Sequence, residues 1–207
     1  MRYLTLPVLA ALALGGAAFD AHAQTRGDWA LGLGVHQVNP QSGNGRLAGG
    51  TLPLDVGSDT NPTVSLEYFV YDNLGVEVLA AWPFEHDIGI QGLGHVGSTK
   101  HLPPTLTLQY HFNSAGRVSP FVGAGLNYTT FFSEKTTGAL AGSDLKLGDS
   151  WGLAAHVGVD FAVTGRNAVR VDARWMDIDS RVHVDGADLG TAHLDPLTYG
   201  VAWVLKF

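Results

Sequence analysis

L-T-Y-G-V-A-W-V-L-K-F, residues 197–207, closes the chain. Its odd positions are large and apolar: Leu197, Tyr199, Val201, Trp203, Leu205 and Phe207. Its even positions are small, polar or β-branched: Thr198, Gly200, Ala202, Val204 and Lys206. Strict alternation marks a strand with two unlike faces. An aromatic at the very end, with another four residues earlier, suits a strand whose outer face meets lipid better than one in a soluble sheet. If the rest of the chain repeats the pattern, this stretch is the closing strand of a transmembrane barrel.

Seven further segments repeat it: residues 28–38, 63–71, 74–84, 102–112, 120–132, 149–163 and 168–179. The first shows the rule. Trp29, Leu31, Leu33 and Val35 share one face, while Ala30, Gly32, Gly34 and His36 share the other. The connections alternate in length. Residues 39–61, 85–101, 133–148 and 180–194 are long, whereas Asp72-Asn73, residues 113–119 and Gly165-Arg166-Asn167 are short. The third long loop has room for a helical turn, and Val184-Asp185-Gly186 suggests a small hairpin in the fourth. An even strand count with short turns on one side and long loops on the other is the asymmetry of outer-membrane barrels, short turns periplasmic. Strand lengths suit a tilted bilayer crossing. Apolar faces carry aromatics near both ends. Trp82, Phe84, Phe132, Trp151 and Trp175 form the expected outer girdle; Trp29, Tyr110, Phe112, Phe161, Trp203 and Phe207 form the inner one. The expected fold is therefore all-β, an eight-stranded antiparallel transmembrane β-barrel with long extracellular loops and short periplasmic turns.

The start of the chain fits that address. Arg2 precedes an apolar run from Leu4 to Ala18, followed by Ala21-His22-Ala23. A positive region, an apolar region and an A-x-A box make residues 1–23 a secretory signal peptide. Residues 24–207 are then the barrel domain, in the bacterial outer membrane. There is no Cys, so disulfides contribute nothing to stability. Charged residues make up only 15% and the net charge is −7, which argues against nucleic acid as a partner. A soluble lipocalin-like barrel also has eight strands, and Gly27-Asp28-Trp29 matches its first-strand G-x-W. There, however, the apolar face turns inward. Here the face opposite the apolar one is rich in Gly, Thr, Glu, Asp and Arg, and an eight-stranded barrel has room inside only for such side chains.

The inward face divides along the barrel axis. Glu67, Glu77, His111, Asp160, Arg170, Asp172 and Arg174 fall in the periplasmic half. Opposite charges in a narrow lumen must pair, which predicts a salt-bridged plug. Val38, Thr63, Leu79, Ala81, Thr105, Thr107, Phe131, Gly152, Ala154, Met176, Ile178 and Thr198 fall in the outer half. Leu79, Phe131, Met176 and Ile178, with Leu52, Leu54 and Val56 from the first long loop, predict an apolar funnel open to the outside. A hydrophobic molecule in it meets the charged plug below, so the remaining route is sideways between strands. Pro83 and Pro103-Pro104 sit at the outer ends of strands three and four. Proline cannot donate to the ladder, so that hairpin is expected to be poorly paired near its top and is the candidate lateral opening.

Enzymatic signals are weak. None of the eight histidines after the signal peptide shows H-x-x-x-H or H-E-x-x-H spacing. Most fall in loops and are expected to face solvent. His95, Ser98 and Glu85 share a loop without a motif that would tie them into a triad. No catalytic, metal or cofactor site is expected.

Several stretches together resemble the OmpW/AlkL family of small outer-membrane proteins: Lys100-His-Leu-Pro-Pro-Thr-Leu-Thr-Leu-Gln-Tyr-His-Phe112, Pro120-Phe-Val-Gly-Ala-Gly-Leu-Asn-Tyr128, Ser150-Trp-Gly152, Asp172-Ala-Arg-Trp-Met-Asp-Ile178 and Leu194-Asp-Pro-Leu197. The resemblance implies an eight-stranded barrel with a hydrophobic passage that admits small apolar compounds and releases them laterally. It implies gate residues at Leu52 or Leu54 and at Trp151, although alternation turns Trp151 outward. It also implies an alternative role as a bacteriocin or phage receptor acting through surface loops. Expected partners are outer-membrane lipid, small hydrophobic solutes and the barrel-assembly machinery, which would read Phe207.

Overall fold

The computed structural model describes residues 24–207, so the expected signal peptide lies outside the described residues. The alternating segments all form strands. In chain order they are β1 (Trp29–Asn39), β2 (Arg46–Leu47), β3 (Leu52–Val56), β4 (Asp59–Tyr71), β5 (Leu74–Ala81), β6 (Phe84–Ile90), β7 (Gly94–Leu102) and β8 (Thr105–His111). They continue with β9 (Val118–Thr136), β10 (Leu145–Leu147), β11 (Ser150–Ala162), β12 (Asn167–Met176), β13 (Asp179–Val184), β14 (Ala187–His193) and β15 (Leu197–Lys206). Eight of these make the barrel, in the order β11-β12-β15-β1-β4-β5-β8-β9, and pairing of β9 with β11 closes it. The terminal strand seals first to last: Ala30 faces Lys206 and Asn39 faces Leu197 across an unbroken antiparallel register. Closure leaves no edge in the membrane, which is what lipid demands of a β-structure.

The outer surface is the apolar face of each strand. Leu33, Val35, Leu66, Val78, Leu106, Leu108, Leu126, Leu153 and Val201 are exposed, bounded by Trp82 and Trp151 at one rim and Phe112 and Phe207 at the other. One girdle assignment is corrected. Phe84 is buried rather than lipid-facing, because β5 ends at Ala81 and the chain re-enters a strand only at Phe84. That break shifts the alternation by one position.

The long connections are not simple loops. Residues 85–101, expected as loop, form most of a hairpin of β6 and β7, and β7 pairs with the long β9 beyond the barrel rim. The first long loop carries β2 and β3, with β3 paired to β6. The third contains a single helical turn, Gly138–Leu140, as expected. The fourth is the expected hairpin, β13–β14, turning at Asp185 and Gly186, both with positive φ. Two such residues in succession give a turn whose twist matches the strands it joins. With β10 these strands form a three-stranded sheet. The barrel wall thus continues outward as a folded β-structure with its own apolar interior.

Candidate functional site

The lumen is built in three levels. The lowest is a charged network centred on Arg170 of β12. Its Nε and Nη2 donate to the two oxygens of Asp160 at 2.7 and 3.1 Å. Its Nη1 donates to Glu77 at 2.7 Å, and Nη2 reaches Glu67 at 3.4 Å. Arg174 donates to the other oxygen of Glu77 at 2.7 Å. The Arg170 guanidinium also stacks 4.5 Å from the Phe121 ring centroid. A planar fork is the side chain suited to bridging several carboxylates. Four carboxylates face two arginines, and three histidines stand against the remainder. His111 meets Glu67 at 2.9 Å, and His36 and His156 meet Asp172 at 3.1 and 3.0 Å. His36 also bonds Thr63 at 2.6 Å. All these groups are buried.

Neighbouring strands yield space to the network. A side chain at Gly75 would collide with the Glu67 carboxylate, and one at Gly158 with the Phe121 ring. Among the described residues, a void against the network measures about 10 Å³, no more than one water needs. At this level the buried charged side chains fill the lumen.

Gln109 belongs to the level of the network, its Nε2 within 3.0 Å of both Thr107 and His156. Above lies a neutral belt, where Asn127 donates to Thr105 at 3.1 Å and accepts from Thr129 at 2.7 Å. The third level is apolar. Leu54, Phe131, Met176 and Ile178 join Leu47, Ile88, Ile90, Val96, Leu145, Val182 and Leu194 in one buried cluster, with Leu52 and Val56 packed against it. It encloses a cavity of about 80 Å³. Larger hollows of about 460 and 660 Å³ open at the periplasmic mouth and beside β3 and β6, but they are wide and partly charged, so size alone does not make them sites for an apolar molecule.

Leu52, Leu54, Phe131, Met176 and Ile178 are thus gathered together. Leu79 is not among them: it is buried lower, beside Glu77 and Arg174 in the wall of the small plug void. Trp151 is corrected outright as a gate residue. It is 73% exposed on the outer surface, its ring 4.8 Å from that of Tyr128, as the parity of its strand requires. The apolar members from β2, β6, β7, β10 and β13 lie in segments whose glycine and polar content reads as loop. Their signal was short alternation, as in Phe84, His86, Ile88 and Ile90, all buried, against exposed Glu85 and Asp87.

Two histidines expected in a solvent-facing loop, His86 and His101, are buried instead, alongside those of the barrel strands. His36, His86, His101, His111 and His156 are buried. The first and last have inward parity on barrel strands, and His86 and His101 come inward on the β6–β7 hairpin. His86 Nδ1 donates to the Gly57 carbonyl at 2.5 Å. Burial holds its pKa below the usual 6.5, outweighing the opposing pull of the Gly57 carbonyl, Asp59 and Asp87. A depressed folded-state pKa means that the unfolded chain binds the proton more readily. Stability of this hairpin is therefore present above about pH 6.5 and lost as pH falls through the folded value. The protection of β6 and β7 amides, taken relative to their base-catalysed intrinsic exchange rates, is expected to fall between about pH 7.5 and about pH 5, and His86→Phe to reduce that dependence. An unchanged profile in the variant would refute the assignment.

Pro83, Pro103 and Pro104 lie at an interruption of the wall. The β5–β8 ladder ends at Leu79 opposite Thr105, and the β6–β7 ladder begins at Phe84 opposite His101. No residue between these limits pairs across. The segments are held from their far sides, by Trp82 N–H donating to Pro62 O at 2.9 Å and Tyr128 N–H donating to Pro104 O at 3.0 Å. Among the described residues, only Asp177, Asp179 and Asp195 bring three potential metal-ligand groups together. Asp195 already accepts the Ile178 N–H, and Asp179 is bonded to His193.

Comparison with known proteins agrees with this architecture. The family model described as the OmpW family matches residues 25–207. Outer membrane protein W of Vibrio cholerae is 40% identical, the match covering 98% of this chain and 97% of that protein. Outer membrane protein AlkL of Ectopseudomonas oleovorans is 31% identical over 87% of this chain and 85% of that one. Among solved structures, the outer membrane protein OprG from Pseudomonas aeruginosa superposes with a TM-score of 0.79 at 31% identity, covering 91% of this chain and 99% of that one.

Proposed function

The chain belongs to the OmpW family and is an outer-membrane β-barrel protein, and from that premise we propose that it is a passive conduit for small hydrophobic molecules. Solutes enter the apolar vestibule from outside and leave sideways into the bilayer through the wall at Pro83, Pro103 and Pro104. What supports the reading is the succession along one axis: an apolar cavity above, a lumen filled by buried ion pairs below, and a stretch of wall without ladder bonds at the level between. An apolar molecule in the cavity gains nothing by going down. Parting the network would strand buried charges, at several kcal/mol each. Parting two strand segments that share no ladder bonds breaks no hydrogen bond between them. Pro83, Pro103 and Pro104 have no N–H to offer, so the gap is written into the residue types.

The lateral route is tested by restoring donors. A chain carrying Pro83→Val, Pro103→Thr and Pro104→Val can extend the ladder through the gap. Uptake of an apolar dye by cells expressing it is expected to fall towards that of cells lacking the protein, with the barrel still folded by its heat-modifiable migration on gels. Full uptake by the folded triple variant would rule out this exit.

A further inference from the structure

Between the apolar cavity and the wall gap stand two rings that hydrophobic passage does not require. On the inward face of β6, His86 lies between Ile88 and Phe84; on that of β7, His101 lies between Thr99 and Pro103. Both side chains are 0% exposed. Their rings stack with centroids 4.7 Å apart and planes 22° from parallel. The Phe131 ring, which lines the cavity, meets His101 edge-on at 5.7 Å, and Phe84 closes on it from the other side at 5.7 Å. Among the described residues, three ring nitrogens here have no hydrogen-bond partner: Nε2 of His86 and both nitrogens of His101. Buried polar atoms without partners are costly, and each calls for an explanation. An all-apolar wall at these positions would have served an alkane better.

We propose that the His86–His101 pair is a polar subsite on the apolar path, taking the hydroxyl of a neutral, single-headed amphipath such as a long-chain alcohol. The assignment rests on the uptake reading above and narrows its substrate class. The chemistry follows from the donors. Gly57 O can only accept, so the bond it receives puts the hydrogen of neutral His86 on Nδ1 and leaves Nε2 as a bare acceptor. Neutral His101 carries one donor and one acceptor in either tautomer. The pair therefore offers acceptors and a donor together. A hydroxyl donates once and accepts, so it can give its hydrogen to His86 Nε2 and receive one from His101. An alkane satisfies neither. A carboxylate only accepts, and an ammonium group only donates while bringing a charge among Phe84, Phe131 and the apolar cluster. The hydrocarbon tail of the alcohol would occupy the cavity lined by Ile88, Ile90 and Val96, on the same face of the hairpin.

The test uses the full barrel in lipid nanodiscs and two probes of equal chain length, decanol and decane. Each competes against a fluorescent apolar dye held in the vestibule. Decanol is expected to compete about tenfold better than decane, the worth of one to two buried hydrogen bonds. His101→Phe should erase the preference while leaving decane unchanged, and His101→Gln, which keeps an amide donor and acceptor, should restore part of it. A readout on the unaltered protein guards against variants that misfold: the ring-nitrogen resonances of His86 and His101 should move with decanol and stay with decane. Equal competition with still resonances would overturn the subsite and leave the conduit standing. If neither probe displaces the dye, both readings fall.

Discussion

Leu54→Asp and Phe131→Asp are each expected to slow uptake of an apolar solute at least about tenfold, with the barrel still folded. Both side chains are buried in the cluster that encloses the vestibule. A carboxylate there cannot stay dry. The cost of an unpaired buried charge is large enough that water enters the cavity with it or the acid stays protonated as a buried donor. Either way the cavity stops being a better solvent than water for a hydrocarbon chain. Each methylene that no longer finds an apolar wall forfeits about 0.8 kcal/mol, so the loss of only two already exceeds the 1.4 kcal/mol that separates a factor of ten. The barrel below should tolerate the change, since β3 and the outer part of β9 lie beyond its rim. Trp151→Asp is the matched control. It places the same charge near the outer rim but on the lipid-facing surface, beside Tyr128, and uptake should persist. Flux unchanged in both interior variants would sink the vestibule as the entry route; flux lost equally in all three would mean that charge near the rim, not the cavity, is what matters.

That control also marks what could be read from the residues alone. Parity along a strand is a local property, and it placed Trp151 outward and Arg170 inward without any knowledge of the fold. The barrel, its closure and the charged lower lumen were all legible for this reason. Parity fails where the chain breaks step. At Trp82-Pro83 the strand is interrupted, and Phe84 turns from lipid to core. Glycine misleads in a different way. Gly92 and Gly94 are turn residues with positive φ, but Gly97 lies in β7, where a side chain would strike the Lys135 carbonyl. The same residue type that signals a loop also permits two backbones to come close. Four glycines in residues 85–101 therefore masked a hairpin, and with it the buried His86 and His101. What those two rings stack on is set by pairing between β6 and β7 and with β9, a long-range fact that no local pattern contains.

Arg170→Met is expected to destabilise the barrel by about 3–5 kcal/mol, the usual cost of removing one partner from a buried ion network, while leaving apolar uptake by the folded fraction intact. Arg170 alone bridges Asp160, Glu77 and Glu67. Without it Arg174 still reaches Glu77 and His111 still reaches Glu67, whereas among the described residues the ion pair of Asp160 is the one with Arg170. Arg170→Lys should recover little, because a single ammonium cannot span three carboxylates set around a planar fork. Removing the stranded charge should recover more: Arg170→Met combined with Asp160→Leu is expected to be more stable than Arg170→Met alone, a sign of coupling that a double-mutant cycle of urea unfolding in detergent micelles would read directly. The uptake measurement on the same variants separates the plug from the path. If solutes leave through the wall above the network, loosening the network changes stability and not flux. A variant that remains folded yet loses apolar uptake would place Arg170 on the route, and the lateral exit would have to be abandoned for an axial one.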